Sequence, residues 1–139
     1  MAEYVFDIEA DSLDATKIHC MVVNGEEVDK TFFENLTPKD TLIGHNIIRY
    51  DIPTLERLLG IKIKAQLIDT LALSWYLFDV NRHGLEQWGE RLGIAKPTIT
   101  DWENLTREEY IHRCKEDVKI NTKLWGLQKS LLIKIYDGD

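Results

Sequence analysis

The order in which hydrophobic spacing changes along the chain limits its fold more than any other feature. Up to residue 33 the apolar residues fall in short runs with strand-like spacing; beyond Asp51 they recur every three or four positions, as on one face of a helix. Residues 4–8 form an apolar run rich in β-formers and predict a buried strand. Residues 17–23 and 27–33 predict two more, joined by a hairpin at Asn24-Gly25. Residues 41–43 read as a fourth strand ending at Gly44, and 67–68 as a fifth. Between and after these come helices. Asp51 is placed to cap one that carries Pro53 in its first turn, buries Leu55, Leu58 and Leu59, and stops at Gly60. Asp69 caps a second over 71–78, and 84–92 gives a third, ended by Gly93. The capping box Thr106-x-x-Glu109 opens the longest, running to about residue 136. Hairpin-joined strands followed by alternating helices and strands predict one α/β domain over residues 1–139, with a mixed five-stranded sheet flanked by helices.

Composition agrees with a globular domain: 139 residues, 44% hydrophobic and 29% charged, are enough to bury a core. Cys20 and Cys114 stand apart with no metal-ligand spacing, which suggests a reducing compartment without a disulfide framework. The first eleven residues carry several acids, unlike a signal peptide, and no apolar run nears the ~18 residues that span a bilayer. A soluble protein of the cytoplasm, with no membrane partner, is expected. The net charge of −7 argues against a long basic track for nucleic acid. It argues less against an enzyme whose acids hold divalent cations, because the cations then supply the local positive charge.

The acids themselves form a pattern. Asp7 and Glu9 lie two apart on the first strand, so both point to one face, where two carboxylates repel unless a cation lies between them. Asp51 closes the segment Gly44-His45-Asn46-Ile47-Ile48-Arg49-Tyr50 at a helix start, and Asp117 sits in a helix with apolar partners. Each alone has an ordinary explanation: an acidic strand exit, an N-cap, a solvated helix acid. Together and in this order they resemble the three motifs of the DEDD 3′–5′ exonucleases, as Asp7-x-Glu9, Gly44-His45-Asn46…Tyr50-Asp51 and His112-x4-Asp117. The segments Ile68-Asp-Thr-Leu71 and Gly84-Leu-Glu-Gln-Trp-Gly-Glu-Arg-Leu-Gly93 are similar to the proofreading exonuclease domain of phage family A DNA polymerases. The likeness extends from Tyr4 to about Leu127.

That resemblance implies an RNase H-like fold and a metal-dependent enzyme that releases nucleoside 5′-monophosphates from 3′ ends. It implies two Mg2+ ions, with Mn2+ an alternative, held by Asp7, Glu9, Asp51 and Asp117, with Asp7 bridging; hard oxygen ligands suit both metals. His112 is implied as general base, since Arg113 occupies the place where the tyrosine subtype has its Tyr. Residues five apart on one helix lie about 140° apart, so a break near 111–113 is expected to turn His112 into the cleft. An unbroken helix would favour Tyr110 or leave His112 on the surface. Ala10, Asp11 and Leu13 are implied beside the terminal nucleotide, with Asn46 and Tyr50 on its sugar or base; for Leu13 and Tyr50 ordinary core packing is the alternative. Trp88 and Trp125 read as core, and most of Arg107, Arg113, Lys115, Lys119 and Lys123 as a solvated helix face. The expected substrate is single-stranded DNA at its 3′ end, with RNA as the alternative since no motif reports on a 2′-hydroxyl. A free-standing enzyme of phage type in host cytoplasm, either proofreading in trans for a separate DNA polymerase or degrading single-stranded ends, is the expected setting. A binding module of the same fold is the remaining alternative.

Overall fold

The computed structural model describes residues 2–94 and 105–137. Strand β1 (Glu3–Ala10) pairs antiparallel with β2 (Ile18–Val23), which pairs antiparallel with the short β3 (Glu26–Glu27). On its other side β1 runs parallel to β4 (Thr41–Gly44), and β4 parallel to β5 (Gln66–Asp69). The sheet is therefore mixed, five-stranded, and ordered β3-β2-β1-β4-β5. The hairpin between β2 and β3 turns at Asn24 and Gly25, both at positive φ (50° and 88°), as a tight turn matched to strand twist requires.

The alternation of β1 divides the core. Phe6 and Ile8 face one side, packed with Leu42, Phe33, Leu36, Ile47, Ile52 and Leu55. Val5 faces the other, with Val22, Ile43, Cys20, Cys114 and Val118. The first layer is covered by helix α1 (Lys30–Glu34) and by α2 (Ile52–Leu59), which follows a π-helical turn at Ile47–Asp51. The second is covered by α5 (Arg107–Asp137), which also meets α3 (Thr70–Leu77) and α4 (Leu85–Leu92). Trp88 is buried on Ile120 and Leu124, as its helical spacing predicts. Trp125 is half-buried, with its indole N–H donating to Glu3 at 3.3 Å.

Most expected elements occur within a residue or two of their predicted places, and the capping box is reciprocal: Glu109 N–H donates to Thr106 and Thr106 N–H to Glu109. Two expectations fail. Of residues 27–33 only Glu27 belongs to a strand, at the end of β3. Asp29 accepts the Thr31 N–H and starts a helix, which turns Phe33 onto Phe6 and Phe32 edge-on to Tyr4. Nor does Asp51 cap α2, because it is itself helical (φ −62°, ψ −48°) and its side chain makes no capping bond. That carboxylate is directed elsewhere.

Candidate active site

Strand alternation sets Asp7 and Glu9 on the Val5 face of β1, beneath α5. Helix α5 brings Asp117 down onto them, so that carboxylate oxygens of Asp7, Glu9 and Asp117 all lie within 4.8 Å of one another. One turn before Asp117 the buried Cys114 thiol rests 3.2 Å from the Asp7 carbonyl and 3.4 Å from its carboxylate. Asp51 stands beside this trio. It is buried, and its carboxyl feels the charges of Asp69 and Glu9 as it adds its own to Asp7.

A web of backbone contacts fixes the π-helical turn that delivers Asp51. β4 ends at Gly44, where any Cβ would come within 2.3 Å of Ile47 and 3.2 Å of the Phe6 carbonyl, so only glycine lets the turn pass β1 this closely. Asn46 then takes a left-handed conformation (φ 67°), which asparagine tolerates better than most residues. Asp69, at the end of β5, accepts the N–H groups of Asn46 (2.9 Å), Ile48 (3.2 Å) and Leu71 (2.9 Å). One side chain thus caps α3 and clamps the turn. Behind it His45 bonds Thr70 Oγ1 (2.9 Å) and the His83 carbonyl (2.7 Å), while Asn121 of α5 donates to the same Thr70 hydroxyl (2.9 Å). Burial is the main cause holding His45 below its ordinary pKa, which suits a neutral ring wedged between two fixed partners.

Electrostatically the cluster is strained without a cation. Burial raises the Asp7 carboxyl well above its ordinary value, and the charges of Asp117, Asp51 and Glu9 raise it further. Asp51 is raised in the same way, by burial and then by Asp69. Arg113 lies against the cluster, its Nε 3.5 Å from Glu9. The converging carboxylate oxygens of Asp7, Glu9 and Asp117 make a hard donor set, which fits magnesium or manganese. Asp7, Glu9, Asp51 and Asp117 would hold it.

The surrounding residues are placed as follows. Ala10 ends β1 beside Glu9. Asp11 is engaged within the β1–β2 loop, accepting from Thr16 and from the Lys17 N–H (3.1 Å); those bonds hold its carboxyl down to about 2. Leu13, 93% exposed, is not core. Tyr50 donates its hydroxyl to the Ser12 carbonyl at 2.7 Å and ties this loop to the π-helical turn. Burial and then the Asp51 charge raise its pKa, so it remains a donor at neutral pH.

The expected break at 111–113 is absent. Helix α5 is continuous through these positions because its apolar residues keep one unbroken face on the sheet, with Cys114 and Val118 buried there. His112 is exposed, about 140° around the helix from Asp117, and the structure does not bring it to the carboxylates. Tyr110 shares the face of Asp117, and its ring stacks on His19 (4.1 Å, 11°). Arg113 is four before Asp117 and is the residue that reaches the acids.

Two contributors were not singled out from sequence, Asp69 beyond its capping role and Cys114, while Arg113 was read mainly as part of a solvated helix face. For Arg113 the four-residue spacing from Asp117 was a usable signal. For Cys114 there was none.

This fold has been solved in nucleases. A structure described as the apo form of the nuclease superposes with TM-score 0.71 at 19% identity, covering 99% of this chain and 75% of that one. Brucella melitensis NrnC gives 0.71 at 17%, covering 98% and 75%. The same protein with bound Mg2+ gives 0.68 at 18%, again covering 98% and 75%. At these identities the likeness establishes the α/β RNase H-like architecture. No family model and no curated protein matches the sequence. Among the described residues no helix is long and apolar enough to cross a membrane.

Proposed function

We propose that the protein is a metal-dependent 3′–5′ exonuclease that hydrolyses the terminal phosphodiester of single-stranded DNA. The observation that carries this is the convergence of Asp7, Glu9 and Asp117 oxygens within 4.8 Å, with Asp51 alongside, at the carboxyl end of a central strand. The nuclease neighbours, one with bound Mg2+, support its coarser part, a metal-dependent nuclease. Two divalent cations held there would lower the pKa of an attacking water and take up charge on the leaving oxygen. The chain's own part is to fix four carboxylates without conformational freedom, from β1, the π-helical turn and α5. Arg113 offsets the charge of Glu9 and lies where a phosphate approaching the acids would meet it. The loop held by Tyr50, with Leu13 projecting from it, would border the terminal nucleotide.

The test is digestion of 3′- and 5′-labelled single-stranded DNA and RNA of one sequence, with Mg2+, Mn2+ or EDTA. A ladder shortening from the 3′ end of DNA, stopped by EDTA, is the expected result. Trimming of RNA alone would keep the site and change the substrate; no cleavage with any metal would overturn the reading. His112→Ala is expected to leave the rate within about three-fold, since the ring faces solvent. A fall of about 10²–10⁴ would instead mark it as the general base, reached by an opening of α5.

A further inference from the structure

Beside the carboxylates, between the π-helical turn and α3, lies a cleft of about 320 Å³ lined by Asn46, Ile48, Arg49, Leu71, Ala72 and Trp75, with Asp69 at its back. That volume is at the small end of ligand sites, roughly 300–1,000 Å³, and suits one planar ring with its sugar, not a longer ligand. Its position is set by the sheet. It lies at the carboxyl ends of β4 and β5, while Asp7 and Glu9 lie toward that end of β1, so the two places are separated by about one to two strand spacings, ~5–10 Å. In sheets of this kind ligands gather along that edge.

The wall formed by α3 is unusual for a surface. Trp75 is 67% exposed, yet its indole is held by a stack on His83 (4.0 Å between ring centres, 24° between planes). His83 is in turn fixed by Ser74, whose Oγ lies 2.6 Å from its Nδ1 and accepts the Trp88 indole N–H at 2.8 Å. A rigid indole with an open face, an apolar floor at Leu71 and Ala72, and a guanidinium at the rim match the requirements of a stacked base and its phosphate. Asp69 does not oppose an anion strongly, since three backbone N–H groups already point at it.

We propose that this cleft binds the nucleotide next to the terminal one of a single strand, its base stacked on Trp75 and its phosphate paired with Arg49. The proposal rests on the exonuclease reading of the carboxylates. It implies that the enzyme senses whether the strand carries a base at the second position.

The experiment is a two-by-two comparison of wild type and Trp75→Ala on oligonucleotides with a normal or an abasic second residue, in Mg2+. Trp75→Ala should raise KM for the normal strand roughly 5- to 100-fold with kcat little changed, and Trp75→Tyr should restore most of it. On the abasic strand the two enzymes should behave alike, because the missing base and the missing indole remove one and the same contact. Arg49→Ala should also raise KM, and its effect should fade in high salt. Equal KM values for wild type and Trp75→Ala on the normal strand, with cleavage still abolished in Asp7→Asn, would overturn the subsite and leave the exonuclease reading standing. Penalties that simply add across the two strands would also overturn it. Absence of cleavage by wild type in Mg2+ and in Mn2+ would remove both.

Discussion

Asp7→Asn is expected to abolish turnover while making the metal-free protein more stable. The loss should be on the order of 10³-fold or more, the scale of removing a principal source of charge stabilisation in a transition state. The gain in stability follows from the sign of the pKa shift. Asp7 and Asp51 both have carboxyls raised above the ordinary 3.8, so the folded chain holds their protons more tightly than the unfolded chain does. Their favourable contribution is complete below that value and is lost as pH climbs through the folded pKa. At neutral pH the metal-free site is therefore a net burden on the fold. Removing one charge lifts it; so does a divalent cation, which should raise Tm of the wild type and do so much less in the variant. Thermal melts at pH 5 and pH 7.5, with and without Mg2+, check all of this. A variant melting lower than wild type at pH 7.5 without metal would contradict the strained-cluster account.

Asp69→Ala should be the most damaging change outside the four acids proposed to hold metal. It leaves the N–H groups of Asn46, Ile48 and Leu71 without their acceptor at once, two of them in the turn that positions Asp51. Water can serve some of these, so a cost of about 2–4 kcal/mol is expected, against 1–3 for one buried group left unmade. Because the carboxylate positions a ligand instead of being one, apparent affinity for Mn2+ should fall by roughly 10- to 100-fold, as for other groups that orient metal ligands. Calorimetric Mn2+ titration separates this from simple destabilisation, provided the variant is still folded at the temperature used. A variant that melts lower yet binds Mn2+ as the wild type does would assign Asp69 to the fold alone.

The parts legible in the sequence were those decided by local chemistry. Strand alternation placed Asp7 and Glu9 on one face, Asn24-Gly25 announced its turn, and Thr106 with Glu109 announced the start of α5. What failed did so where two local signals competed or where tertiary contact decided. Phe32 and Phe33 favour a strand by type, but the Asp29 cap and the space above Phe6 make them a helix. Asp51 has the character of an N-cap, and the family likeness alone set it among the acids; the π-helical turn explains why it does not cap α2. The break at 111–113 came from family likeness set against helix geometry, and the geometry prevailed, since α5 needs Cys114 and Val118 on one continuous buried face. Asp69 as a clamp was out of reach because its three partners come from two separate stretches of chain.

The contact between Cys114 and Asp7 joins residues 107 positions apart, and Asp117 lies farther still along the chain. During synthesis the first acids leave the ribosome long before the last one exists. A nascent or truncated chain lacking α5 carries Asp7, Glu9 and Asp51 but not Asp117, so the cluster of carboxylates is completed only when that helix docks. Late closure of this kind depends on long-range pairing, which is slow to form.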